Sequence, residues 1–158
     1  WVGEMRRLGI TALMNEHDLP SVVALIHQDY RSEQPVHPGR AFVGRAQMEA
    51  NWKSIFDGVP DFHGQVVRSV RDRETCGTRG HWTGNRSDGK PFEMRGITLL
   101  EVKQDQIVAG RLYMEELDRG DAHIADVVEE IAGRRPPVSA RIGSAHSGHG
   151  PAPAFPRP

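Results

Sequence analysis

The stretch MRGITLLEVKQDQIVAGRLYME, residues 94–115, decides the fold. It is two runs rich in Ile, Leu, Val and Tyr, interrupted only by the polar pair Gln104-Asp105. Such side chains favour extended chain, and a two-residue polar break between two such runs predicts a hairpin. The strands are expected at about 92–103 and 106–117. Apolar residues occupy both parities: Ile97 and Leu99 alternate with Thr98, Leu100 and Val102, and Ile107, Ala109 and Tyr113 alternate with Val108, Leu112 and Met114. A sheet with one wet face would carry polar residues on one parity, so both faces are expected to be covered. A homodimer through the sheet face is the first candidate for the second cover, because most oligomers are symmetric homodimers. A C-terminal helix folded back over that face is the alternative.

Working outward toward the N-terminus, TCGTRGHWTG (75–84) and FHGQVVRSVR (62–71) repeat the extended pattern. Asn85-Arg-Ser-Asp-Gly89 joins the second and third strands through an Asp-Gly turn signal. Consecutive hairpins predict an antiparallel meander. Ahead of it the period becomes helical. Residues 4–16 place Met5, Leu8, Ala12 and roughly Leu13 on one stripe. A second helix is expected after Asp18 as N-cap and Pro20 in the first turn, with Val22, Val23, Leu25 and Ile26 as its apolar face. Residues 31–40, with two prolines and a glycine, read as a loop or irregular edge. A third helix runs from about Gly44 to Phe56, with Met48, Trp52 and Phe56 spaced four apart, and Asp57-Gly-Val-Pro60 stops it. A last short helix, about 121–132, carries Ile124, Val127, Val128 and Ile131 before Gly133. Helices followed by a run of strands define an α+β class.

The chain has 158 residues and a formal net charge of −1, which suits one domain and argues against nucleic acid or an anionic membrane as partner. Every Asp and Glu lies at or before Glu130, whereas Arg134, Arg135, Arg141 and Arg157 follow it. Residues 134–158, rich in proline and glycine, bury too little apolar surface to offset chain entropy and are expected to form a flexible tail after a 4–133 domain. Cys76 is the one cysteine, so no internal disulfide forms. No apolar run is long enough to span a membrane, and WVGEMRR at residues 1–7 lacks the apolar run of a signal peptide. A cytoplasmic location is therefore expected. The missing initiator Met suggests that the natural N-terminus lies elsewhere.

Five segments in order resemble the nuclear transport factor 2-like superfamily, and within it the SnoaL-like family. They are His37-Pro-Gly-Arg-Ala-Phe-Val-Gly-Arg-Ala-Gln-Met48, Gly58-Val-Pro-Asp-Phe62, Gly80-His-Trp-Thr-Gly84, Met94 to Val102 and Ile107 to Glu115. The resemblance as a whole covers about residues 8–118. The resemblance implies a cystatin-like α+β barrel, in which a cone-shaped, curved antiparallel sheet packs on N-terminal helices and encloses a pocket. Relatives include ketosteroid isomerase, limonene epoxide hydrolase and polyketide cyclases, beside others that only bind ligands, so fold alone does not choose the activity.

The resemblance also marks Glu115, eight residues after Ile107, where the family's cyclases carry a catalytic aspartate; here the side chain is one methylene longer. A carboxyl buried in an apolar cavity is harder to ionise and can exchange protons near neutral pH. The opposing reading is a solvated carboxylate in Glu115-Glu116-Leu-Asp118. Arg111 and Tyr113 share its strand face, as donors to an oxyanion or as a structural ion pair and packing. His81, with Arg79, offers an imidazole for acid–base work or an ordinary surface histidine. Arg95 falls on the expected interface face.

Trp52, Phe56, Trp82, Tyr30 and His37 are candidate pocket residues, the aromatics equally suited to the core. Asp72, Asp88 and Asp105 sit at strand ends or turns and build no epoxide-hydrolase arrangement. No phosphate-binding, dinucleotide or Gly-x-Ser-x-Gly motif occurs, and His146 and His149 lack acidic companions, so neither cofactor nor metal is expected. Two functions follow. One is a cofactor-independent isomerase, cyclase or lyase acting on a hydrophobic carbonyl compound by acid–base catalysis. The other is a non-catalytic module that binds a hydrophobic small molecule.

Overall fold

The computed structural model describes the backbone of residues 2–137 and the side chains from Gly9 onward. Most of the expected tail, with His146 and His149, lies outside the described residues. Helix α1 spans Val2–Asn15, α2 Leu19–Ala24, α3 Arg45–Gly58 and α4 Ile124–Ala132. The strands are β1 Ile26–Glu33, β2 Phe42–Val43, β3 His63–Asp72, β4 Thr75–Asn85, β5 Pro91–Lys103 and β6 Gln106–Glu116. One six-stranded sheet runs β2-β1-β6-β5-β4-β3, and β3 to β6 form the expected meander. Gln104 and Asp105 both take positive φ, 46° and 65°, as a two-residue hairpin of the right twist demands.

The second helix is shorter than its apolar spacing suggests. It ends at Ala24, and Ile26 opens β1, which also takes over residues 31–33, the start of the stretch expected to be irregular. β1 pairs parallel with β6, from Ile26 opposite Ile107 to Glu33 opposite Arg111. The register slips between Ile26 and Arg31. That slip explains the masking: Ile26, Tyr30 and Ser32 are buried while Gln28 between them is exposed, so IHQDYRSE shows no period of two.

Local chemistry ties the elements together. Asp18 caps α2, its carboxylate accepting from Ser21 N at 3.2 Å, which holds that carboxyl below its usual range. At the end of α1, Asn15 Nδ2 donates to Gly64 O at 2.9 Å and Asn15 Oδ1 accepts from Gly64 N at 2.6 Å, pinning the helix to β3. Two core clusters result. Ile10, Val22, Ile26, Tyr30, Met48 and Ile107 form one, and Phe56, Val59 and Phe62 the other, with Trp52 packed against both.

The first compact unit closes at Asp118, and residues from Arg119 onward form a second unit that carries α4. In α4 the His123 side chain accepts from Ala125 N, and the Asp126 carboxylate accepts from His123 N. Gly133, at φ 65°, ends the helix, and Arg135 reaches back to Asp126 and Glu129.

Candidate functional site

Between α1, α3 and the inner face of the sheet lies a cavity of about 100 Å³, several times the room one buried water needs. Strand parity builds its wall. On β4 the even positions Thr78, Gly80 and Trp82 face inward, on β5 Thr98 and Leu100, and on β6 Leu112. Ile10, Thr11 and Met14 of α1 and Met48 and Trp52 of α3 close the other side, and Ile26, Tyr30 and Ile107 close one end. Gly110, of the same parity on β6 as Leu112, makes room for Tyr30: a Cβ there would overlap the Tyr30 hydroxyl.

Chemically the wall formed by the described residues is mostly apolar. Among the described residues no Asp, Glu, His, Lys or Arg lines it. Its polar groups are Thr11, Thr78, Thr98, Gln65, the Trp82 indole and the Tyr30 phenol. Burial pushes the Tyr30 phenol above its ordinary 10, and a hydrogen bond with Ser32 offsets this only in part. Tyr30 therefore stays neutral across the physiological range. Among the described residues no group of three or more His, Cys, Asp or Glu is placed to hold a metal ion. Nor is any helix there long and apolar enough to cross a membrane.

Of the five residues expected to line a pocket, Tyr30, Trp52 and Trp82 do. Phe56 and His37 do not. Phe56 points toward α1's end, where His17 stacks on it at 4.5 Å and 7°, and His17 Nε2 donates to Phe62 O at 3.3 Å. His37, just before the Pro38–Arg40 turn, donates from Nε2 to Glu115 Oε1 at 2.8 Å.

The four residues weighed for acid–base chemistry lie away from the cavity, because Leu112 and Met114 take the inner positions of β6 and Gly80 and Trp82 those of β4. Positions 111, 113 and 115 point out. Glu115 keeps half of its side chain exposed, 51%, beside His37. Arg111 donates from Nε to Glu33 at 3.1 Å and from a terminal nitrogen to Glu101 at 2.7 Å. Tyr113 sits exposed opposite Ile97. His81 donates to Glu93 Oε1 at 2.8 Å, and Arg95 holds the same oxygen at 3.0 Å. The outer face thus carries interlocked ion pairs around exposed Val70, Ile97 and Tyr113.

The Arg111 hydrogen bond holds Glu101 below its usual 4.5, despite some opposing burial, and Glu101 in turn raises Arg111. Asp61, accepting from Asn85 N and Nδ2 at 2.6 and 2.7 Å, is lowered likewise. A depressed folded pKa gives stability that is present above the unfolded value and lost as pH falls through the folded one. Urea midpoints are therefore expected to hold steady from neutrality to about pH 5 and to drop below it. Arg111→Met should shallow that acid limb; an unchanged limb would show that the Glu101 pair contributes nothing.

A curved sheet wrapped on helices around an apolar cavity is the architecture of the nuclear transport factor 2-like pocket proteins. Residues 9–110 match the SnoaL-like domain, and the chain belongs to that family. Solved structures agree on the fold. A candidate SnoaL-like polyketide cyclase from Shewanella denitrificans is 13% identical over 83% of this chain and 97% of its own, at a TM-score of 0.60. A candidate isomerase from Bacillus subtilis is 22% identical, over 84% and 92%, at 0.62. A protein of ketosteroid isomerase-like fold from Catenulispora acidiphila, solved with trimethylamine, is 15% identical over 64% and 78%, at 0.56. At these identities the likeness speaks for the fold alone. No curated protein matches the chain in sequence.

Proposed function

We propose that the chain binds a small, neutral, predominantly apolar molecule in the cavity between its sheet and helices. One observation carries this: among the described residues the wall offers aromatic and aliphatic surface with a few uncharged polar groups, and no charged side chain. An ion transferred into such a wall would lose its hydration without a partner, a cost far above what dispersion returns. A neutral guest loses little and gains burial. The alternative, acid–base isomerisation or cyclisation, needs a proton-transfer group against the guest. Glu115, the first candidate for it, engages His37 on the outer face instead.

Thermal-shift and calorimetric titration with cyclohexanone, cyclohexanecarboxylate and cyclohexylammonium tests the proposal with guests of matched shape. Cyclohexanone is expected to bind and to raise Tm, since a ligand at a hundred times its Kd adds about 2.7 kcal/mol to folding. The two ions are expected to leave Tm unmoved. Binding of either ion as tightly as the ketone would sink the neutral-guest reading. Glu115→Gln should leave ketone affinity as it is, whereas a loss would place the carboxylate at the site after all.

A further inference from the structure

The cavity wall contains one group whose chemistry is unfinished. Thr78 and Thr98 face each other across β4 and β5 and both line the cavity. The Thr78 hydroxyl oxygen is buried and has no hydrogen-bond partner among the described residues. Buried hydroxyls are nearly always paired, and one left unpaired destabilises the fold, so an orphan in the wall of a cavity marks a place where something is meant to meet it.

No described group of the protein supplies that partner. β4 is paired on both sides at this position, with Ser69 of β3 and Thr98 of β5, so the neighbouring backbone groups serve the ladder. Gly80, two residues on along the inner face, brings no side chain to offer. Thr98, across the rung, makes no hydrogen bond to it, and Leu100 and Leu112 of the same wall are aliphatic. Threonine's rotamer wells are one step of χ1 apart, and one step exchanges the places of hydroxyl and methyl. Such a step turns the hydroxyl from the wall toward a guest.

We propose that Thr78 is the polar anchor of this cavity, and that its natural guest is a compact hydrocarbon skeleton bearing a hydrogen-bonding oxygen, a ketone or an alcohol, which the Thr78 hydroxyl meets. This rests on the binding function proposed above and narrows it to a ligand class. A hydroxyl both donates and accepts, so carbonyl and alcohol oxygens satisfy it equally. A plain hydrocarbon fills the same space and leaves the orphan in place. The anchor thus sets the guest's orientation as well as its class: oxygen toward the β4–β5 rung, skeleton toward Trp52 and Met14.

The test compares cyclohexanone and cyclohexanol with methylcyclohexane, a guest of similar size without oxygen, on the wild-type chain, Thr78→Val and Thr78→Ser. Thr78→Val keeps the side-chain shape while removing the hydroxyl. It is expected to bind both oxygenated guests about tenfold more weakly, the effect of one hydrogen bond, and methylcyclohexane with unchanged affinity. The ligand-free Thr78→Val protein should melt a few degrees higher than wild type, because the orphan is gone. Thr78→Ser, which retains the hydroxyl, should keep the preference for oxygen. If Thr78→Val binds the oxygenated guests as wild type does while all three guests still bind, the anchor is refuted and the binding function stands. If no guest binds the wild-type chain, both fall.

Discussion

Trp52→Ala is expected to destabilise the protein by about 3 kcal/mol, the low end of the range for deleting a large core aromatic, because Trp52 is partly buried. Trp52, like Met14, is packed against both core clusters. Its indole meets Phe56 at 5.6 Å, Phe62 at 5.5 Å and Trp82 at 5.4 Å, the last two edge-on, which adds a geometric preference to the area buried. It also forms part of the cavity wall, so truncation enlarges a void already present, and the ring contacts across it are lost outright. Domains of this kind are stable by only about 5–15 kcal/mol, so the loss takes a large share of the total. Urea unfolding followed by circular dichroism should show the midpoint falling steeply. Trp52→Phe should lose markedly less. A midpoint within experimental error of wild type for Trp52→Ala would mean that the two clusters do not depend on this ring.

The same tryptophan shows why much of the fold is legible without coordinates. Met48, Trp52 and Phe56 recur every four residues, and a helix gathers that spacing onto one stripe while Gln47, Glu49, Asn51, Lys53 and Ser54 around them stay polar. The hairpins announce themselves through Gln104-Asp105 and Asp88-Gly89. β1 gives no such signal. Its partner β6 is some 80 residues away, its register slips, and only Ile26, Tyr30 and Ser32 are buried in it. Pairing at that distance is set by tertiary packing, which local patterning does not encode.

The site suffered from a different ambiguity. Spacing places Arg111, Tyr113 and Glu115 on one face of β6, but both parities are apolar enough to be interior, so alternation alone does not say which face holds the cavity. A signal does exist across strands. His81, Glu93, Arg95, Arg111 and Glu115 all occupy odd positions, whereas Thr78, Gly80, Thr98, Gly110 and Leu112 occupy even ones. The parity that collects charges over three neighbouring strands is the outer one, since unpaired charge is too costly inside. The parity that collects glycine and threonine leaves room for a cavity. Neither pattern is visible in one strand read by itself.

Gly80→Val turns that observation into the second large prediction. Gly80 lies mid-strand on the inner face, between Thr78 and Trp82, and opposite Val66 and Gly96. A Cβ there would stand 3.8 Å from Gln65 O and from the Trp82 indole nitrogen, and 3.9 Å from the Met114 methyl carbon, all ordinary contacts. The backbone thus tolerates a side chain, and the rest of the isopropyl group enters the cavity. There it occupies room that a guest would use. At about 0.8 kcal/mol for the room taken by each of the two methyl carbons, cyclohexanone affinity is expected to drop roughly fifteenfold. Stability should move the other way, because valine restricts the unfolded chain and suits a strand better than glycine does. A higher Tm together with lost binding separates a filled cavity from a damaged fold, which would lose both. Retained affinity in a well-folded Gly80→Val protein would show that the guest binds elsewhere, and the cavity would then be packing space alone.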